Sequence, residues 1–113
     1  MKRKLLIVAV VILLGNVFPV ITNSFGGDVD QGKNLFDSKC MICHGPNGKG
    51  NGPAAAALNP HPKDFQQSQF WQGNVDKKIA DTIRNGRSPM PAFDLSDAEI
   101  KAIIAYMTQS FKP

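Results

Sequence analysis

Cysteine and histidine are scarce in this chain, with two of each among 113 residues. Cys40, Cys43, His44 and His61 are therefore the whole supply for a tetrahedral zinc site, and Cys43 and His44 are sequence neighbours, which makes such a site awkward to close. A Cys40–Cys43 disulfide would form so tight a loop that it belongs to redox or cofactor chemistry rather than to structural stapling. No β-rich run precedes Cys40, so the pair does not open a helix from a strand end as a thioredoxin-like dithiol does. The glycine-rich stretch from Gly45 to Pro53 fits neither the Walker pattern nor the dinucleotide fingerprint, and no strand leads into it. A phosphate-cradling loop is thereby excluded.

A long apolar run is also missing. Leu5 to Leu14 is an unbroken apolar stretch of ten, and extending it to Ile21 takes in Gly15, Asn16 and Pro19. A membrane-spanning helix needs about 20 apolar residues. Preceded by Lys2, Arg3 and Lys4, the run reads instead as a secretory signal. No A-x-A triplet marks the exit, so the small residues Thr22 and Ser24 place the expected cleavage after Ser24, making 1–24 the signal peptide and 25–113 a single domain. The alternative reading keeps residues 5–21 as an uncleaved anchor to the inner membrane. No cysteine stands at the boundary to carry a lipid. Removal of residues 1–24 leaves ten basic residues against nine acidic ones, so the basic balance of the whole chain is no sign of nucleic acid.

What the sequence does hold is concentrated in Cys40-Met41-Ile42-Cys43-His44. Two thiols three positions apart, followed at once by a histidine, form the pattern of covalent attachment of one haem c. On a helix the thiols share a face, and the His44 ring leaves the same side of the turn to serve as the proximal iron ligand. A ligating histidine ordinarily donates its other ring proton to a carbonyl; the rigid prolines of Asn59-Pro60-His61-Pro62 suit this, Pro62 first and Pro60 second. His61, boxed in by prolines, reads as a surface residue.

A first helix is expected over about Val29–Lys39, with residues 25–29 a linker and Asp28 or Asp30 the N-cap. Gly32, on the Phe36 face, marks a close approach by another helix. Ala54–Leu58 suggests a single turn. Asp64 would cap a short helix over Phe65–Trp71, whose buried indole N–H needs a partner that a haem propionate could supply, so Trp71 joins the cofactor-binding candidates beside plain core packing. Asn74 and Gly86 bound a helix over Val75–Asn85. Ser96 and Glu99 form a capping box for a last helix, which should cross the first with Ile103 and Tyr106 on Gly32 and Phe36.

Between these helices lies Arg87-Ser88-Pro89-Met90-Pro91. A thioether on a loop clamped by prolines is poor core filler, since methionine is valued there for its flexibility. As a soft sulfur ligand held with little entropy loss it makes sense, and Met90 is assigned the sixth iron position. An iron so closed at both faces suits electron transfer rather than catalysis. No acid–base pair stands near Met90 to support a peroxidase-like reaction.

With these residues in place, the chain resembles the small monohaem class I cytochromes c of bacteria over roughly residues 30–111. Carrying the likeness are the glycine-aromatic first helix, Cys40-Met41-Ile42-Cys43-His44-Gly45, the glycine loop ending at Pro53, Pro62-Lys63-Asp64-Phe65, Asn85-Gly86 before Met90-Pro91, and Ile103-Ile104-Ala105-Tyr106. The resemblance implies an all-α cytochrome c fold of three to five helices wrapped round one haem, ligation by His44 and Met90, and haem attachment outside the cytoplasm. It also implies an electron carrier of the respiratory chain rather than an enzyme, a monomer in the periplasm that meets redox partner proteins.

Overall fold

The structure is a computed structural model that describes Pro19 and residues 25–113; the expected signal or anchor lies outside the described residues. It is all-α, as expected. Among the described residues there are four α-helices, α1 (Phe25–Lys39), α2 (Met41–His44), α3 (Val75–Asn85) and α4 (Asp97–Phe111), with 3₁₀ turns at Ala55–Ala57 and Ser68–Trp71 and no strand. None of the described helices is long and apolar enough to cross a membrane.

The first and last helices form the frame. Gly32 faces the main chain of α4: a β-carbon there would run into the Ala102 carbonyl and the Ile103 nitrogen. The absent side chain lets the two backbones touch, and Phe36, Ile100 and Ile103 fill the crossing as the most completely buried large side chains. Above them Phe36 packs on Tyr106 and Phe111 at centroid separations of 5.5 and 5.2 Å. α4 begins with the full capping box: Glu99 N–H donates to Ser96 Oγ and Ser96 N–H to the Glu99 carboxylate. α3 is bounded as its sequence predicts, with Asn74 Oδ1 accepting from Lys77 N–H and Gly86, at φ 71°, ending it. Its buried Ile79 and Ile83 turn towards the same core.

Two boundaries differ from expectation. α1 takes in residues 25–29, so the linker is helical and Asp28 lies in the first turn, where its carboxylate faces the positive end of the helix dipole. The helix expected over Phe65–Trp71 is only the 3₁₀ turn Ser68–Trp71. The carbonyl that the first turn of such a helix would use, that of Phe65, accepts from the Trp71 indole. Phe65 N–H donates to the Gly48 carbonyl, and Asp64 spends its carboxylate on Gln66 N–H and the Gln67 amide. This leaves an open turn rather than a helix start.

Candidate functional site

α2 has only four residues, so all four of its carbonyls lack partners within the helix. The glycine loop supplies three of them and Ala54, just after it, the fourth. Met41 O accepts from Gly45 N–H, Ile42 O from Ala54 N–H, Cys43 O from Gly52 N–H and His44 O from Gly50 N–H, at 2.8–3.0 Å. So close a return needs bare backbone. A β-carbon on Gly52 would meet the Ile42 and Met41 carbonyls, and Gly45 and Gly50 hold φ of 79° and 76°, where side chains are strained. The loop is thus a socket for the short helix, and the order of glycines that looks like a phosphate site is explained by it.

Cys40 and Cys43 are both free and half-buried. Burial pushes the Cys40 thiol up to about 11, with Lys39 opposing in part. A redox-active dithiol requires the reverse, a thiol lowered below its usual range. Nor do three or more His, Cys, Asp or Glu side chains converge on any point among the described residues, as a bare metal ion would require.

The His44 imidazole stacks on Phe65, with centroids 4.5 Å apart and planes at 22°. Burial lowers its basicity, which keeps the ring in the neutral form that a metal needs. Nδ1 is buried, and the main chain of Lys63, the backbone group that acts on it, offsets part of the burial effect. Sequence points to Pro62, or failing that Pro60, for this place. The Pro62 carbonyl lies against Gly50, whose missing side chain admits it. A half-buried neutral imidazole, on the same turn as two free cysteines, fits a covalently held haem better than a thiolate centre. His61 is exposed, as expected.

Met90 is partly buried and packs on the same core as Cys40. Its loop is held by more than the two flanking prolines. Arg87 N–H donates to the Met90 carbonyl and Met90 N–H to the Arg87 carbonyl, while Phe93 N–H is anchored on the Ile83 carbonyl of α3. Gly86 permits the approach, since a β-carbon there would lie 2.8 Å from Ala92 N. None of these backbone contacts is visible in the sequence, apart from the glycine itself.

Trp71 is buried, but its indole has a partner within the protein: Nε1–H donates to the Phe65 carbonyl at 2.7 Å. Phe65 is the residue that sequence reasoning undervalued. It touches His44, Phe70 and Phe111, and its carbonyl accepts from Trp71.

Comparison with known proteins agrees with this geometry. Residues 27–107 match the family described as cytochrome c oxidase, cbb3-type, subunit III. The chain is 32% identical over 84 residues to the cbb3-type cytochrome c oxidase subunit CcoP of Azospirillum sp. (strain B510), covering 72% of this chain and 28% of the relative. It is 30% identical over 84 residues to cytochrome c6 of Bryopsis maxima, covering 73% and 91%. It is 27% identical over 104 residues to the thiosulfate dehydrogenase of Stutzerimonas stutzeri (strain A1501), covering 89% and 34%. The chain thus spans under a third of the oxidase subunit and most of the cytochrome c6. With the thiol–histidine turn, the all-α frame and these likenesses together, the chain belongs to the cytochrome c family, with covalently attached haem c as its cofactor.

Proposed function

We propose that this protein is a monomeric electron carrier of the periplasm, passing one electron at a time between respiratory redox proteins through a haem held by Cys40, Cys43, His44 and Met90. Haem-based electron transfer is what the family does; the location, the ligand pair and the absence of catalysis are the finer reading. The observation that carries it is the rigidity of both ligand residues. His44 sits in a helix whose carbonyls are all paired, and Met90 in a loop closed by reciprocal main-chain bonds. When bound, haem supplies the ferrous–ferric couple. The chain's own task is to change as little as possible around it. The His44 imidazole stays neutral because burial disfavours its charged form, so no proton need move with the electron. The aromatic cluster of Phe65, Phe70, Trp71 and Phe111 excludes water from the His44 side. Ile42, exposed between the two cysteines, offers a partner an apolar contact beside the attachment site. Methionine ligation and burial favour the reduced state, so a moderately positive midpoint potential is expected.

The test is an optical spectrum of the holoprotein, matured in a host that attaches haem c, in both oxidation states. A weak red charge-transfer band in the ferric form, lost in Met90→Ala, supports the closed site. A high-spin spectrum in the parent would turn the reading towards catalysis, as in the thiosulfate dehydrogenase relative. Likeness to CcoP favours a second reading, in which the same carrier is tethered within an oxidase by residues 5–21. Intact mass separates the two: loss of residues 1–24 rules out the tether.

A further inference from the structure

The loop that carries Met90 leaves α3 at Gly86 and enters α4 through the Ser96 cap, so whatever fixes the end of one helix to the start of the other also closes the loop. It is tied at its tip, on its return limb and at its base. At the tip Arg87 and Met90 exchange main-chain hydrogen bonds, and on the return limb Phe93 N–H donates to the Ile83 carbonyl. At the base Arg84 Nη2, in the last turn of α3, donates to Asp97 Oδ1, in the first residue of α4, at 2.6 Å and 13 positions away in sequence. The other ion pairs among the described residues, Lys33–Asp37 and Lys77–Asp81, each stay within one turn of a single helix. Arg84–Asp97 alone joins two elements. Packing does not duplicate it: Arg84, Ala92, Phe93, Asp94 and Leu95 line an open hollow of about 410 Å³ between the end of α3 and the return limb. Asp97 also stands on a firm support, since the capping box beneath it is complete.

We propose that Arg84 and Asp97 form a clasp across the base of the Met90 loop and are positioning residues for the sixth iron ligand. The inference rests on Met90 being that ligand, and it deepens that reading by naming what keeps the loop shut. Its two main-chain ties are indifferent to salt. The clasp is ionic and lies in solvent, its side chains 42% and 81% exposed, so its contribution is modest and is screened as salt rises. Hold on the sixth position is therefore graded by ionic strength, with no proton gained or lost.

The test is titration of the ferric holoprotein with cyanide at pH 7. Cyanide reaches the iron only when Met90 leaves it, so affinity reports how readily the loop opens. Arg84→Gln and Asp97→Asn should each raise the affinity about two- to fivefold at low salt, and the double variant no more than either alone. Added sodium chloride should bring the parent towards the variants, whose own affinities move little. Lys77→Gln breaks an ion pair of the same kind within α3 and should match the parent; an equal rise there would overturn the clasp. The rate at saturating cyanide separates positioning from general stability: it should rise in both clasp variants, whereas a fold weakened elsewhere lowers the guanidinium midpoint and leaves that rate unmoved. Additive effects in the double variant, or parental affinity in both single ones, overturn the proposal. Should Asp97→Asn disturb the start of α4 and yield no holoprotein, Arg84→Gln and the salt dependence of the parent decide, and no change in either sinks the clasp. A parent lacking the red charge-transfer band would sink the ligand assignment itself, whereas a parent that has it beside unchanged variants sinks only the positioning.

Discussion

Arg87 and Met90 exchange both of their main-chain hydrogen bonds, at 2.9 and 2.8 Å, around the two-residue turn Ser88-Pro89. What holds the methionine is thus the backbone of Arg87, and its guanidinium is dispensable. Arg87→Ala should leave the affinity for added cyanide close to that of the parent. Arg87→Pro removes one donor, worth about 1 kcal/mol, and should ease displacement of Met90 by about fivefold. Cyanide titration of the ferric protein measures both, and equal effects in the two variants would mean that charge matters more than the main chain.

Gly32→Ala should be costly for a reason that no neighbouring side chain can relieve. The added carbon meets a carbonyl of α4, so Ala102→Gly in the same chain should not rescue it. Overpacking of this kind costs about 1–3 kcal/mol, against about 1 kcal/mol gained in helix propensity. A lower denaturant midpoint in the single variant, still lower or equal in the double, is the expected outcome of chemical unfolding.

Two other glycines separate space from strain. Gly73 has φ 72° but only the flexible Lys78 Nζ within reach, at 3.6 Å. Gly73→Ala should therefore cost only the left-handed penalty, about 1–2 kcal/mol. At Gly52 the added carbon would strike the α2 carbonyls that the loop exists to satisfy. Gly52→Ala should lower the yield of haem-bound protein and its unfolding midpoint more than Gly73→Ala does, and the reverse order would contradict the socket.

Acid should destabilise the fold through His44 before it does so through carboxylates. Burial holds the folded-state basicity of His44 below its ordinary 6.5. Above that pH both states leave the ring neutral and stability is insensitive to it; below, the unfolded chain takes up a proton that the folded chain refuses, and stability falls. Asp64 follows at lower pH. Gln66 N–H and the Gln67 amide hold its carboxyl below 3.8, so its small, exposed contribution is lost as pH drops through the folded value. Guanidinium midpoints should be flat from pH 7 to 8 and decline from about 6.5 downward; a midpoint unchanged down to pH 5 would contradict the sign.

The features legible in the sequence are those whose physics is local. Asn74 and Gly86 bound α3, and Ser96 and Glu99 start α4, because a cap binds amides one turn away. The thiol–histidine spacing names its cofactor because three side chains on one turn leave few other uses. Gly32 could be read as a close approach since a glycine in a helix is expensive without one. What could not be read depends on partners distant in the chain. The segment expected as a helix from Phe65 is a 3₁₀ turn over Ser68–Trp71, with Phe65 N–H held by Gly48, 17 positions earlier. The bond from Trp71 to the Phe65 carbonyl and the seat of the Pro62 carbonyl against Gly50 likewise exist only once the loops are folded together.

The contact between Gly32 and Ala102 also fixes an order of events. α1 finds its principal partner in α4, the last of the described helices. During synthesis α1 and the two thiols emerge before α4, and the surface that buries Phe36 does not exist until Ile100 and Ile103 have followed. Closing a ring of that span is slow relative to forming either helix alone. For this interval Cys40 and Cys43 stand on a nascent chain without a core, within reach of whatever enzyme joins them to the porphyrin. Late completion of the frame is thus a window for maturation, written into the chain by which helix comes last.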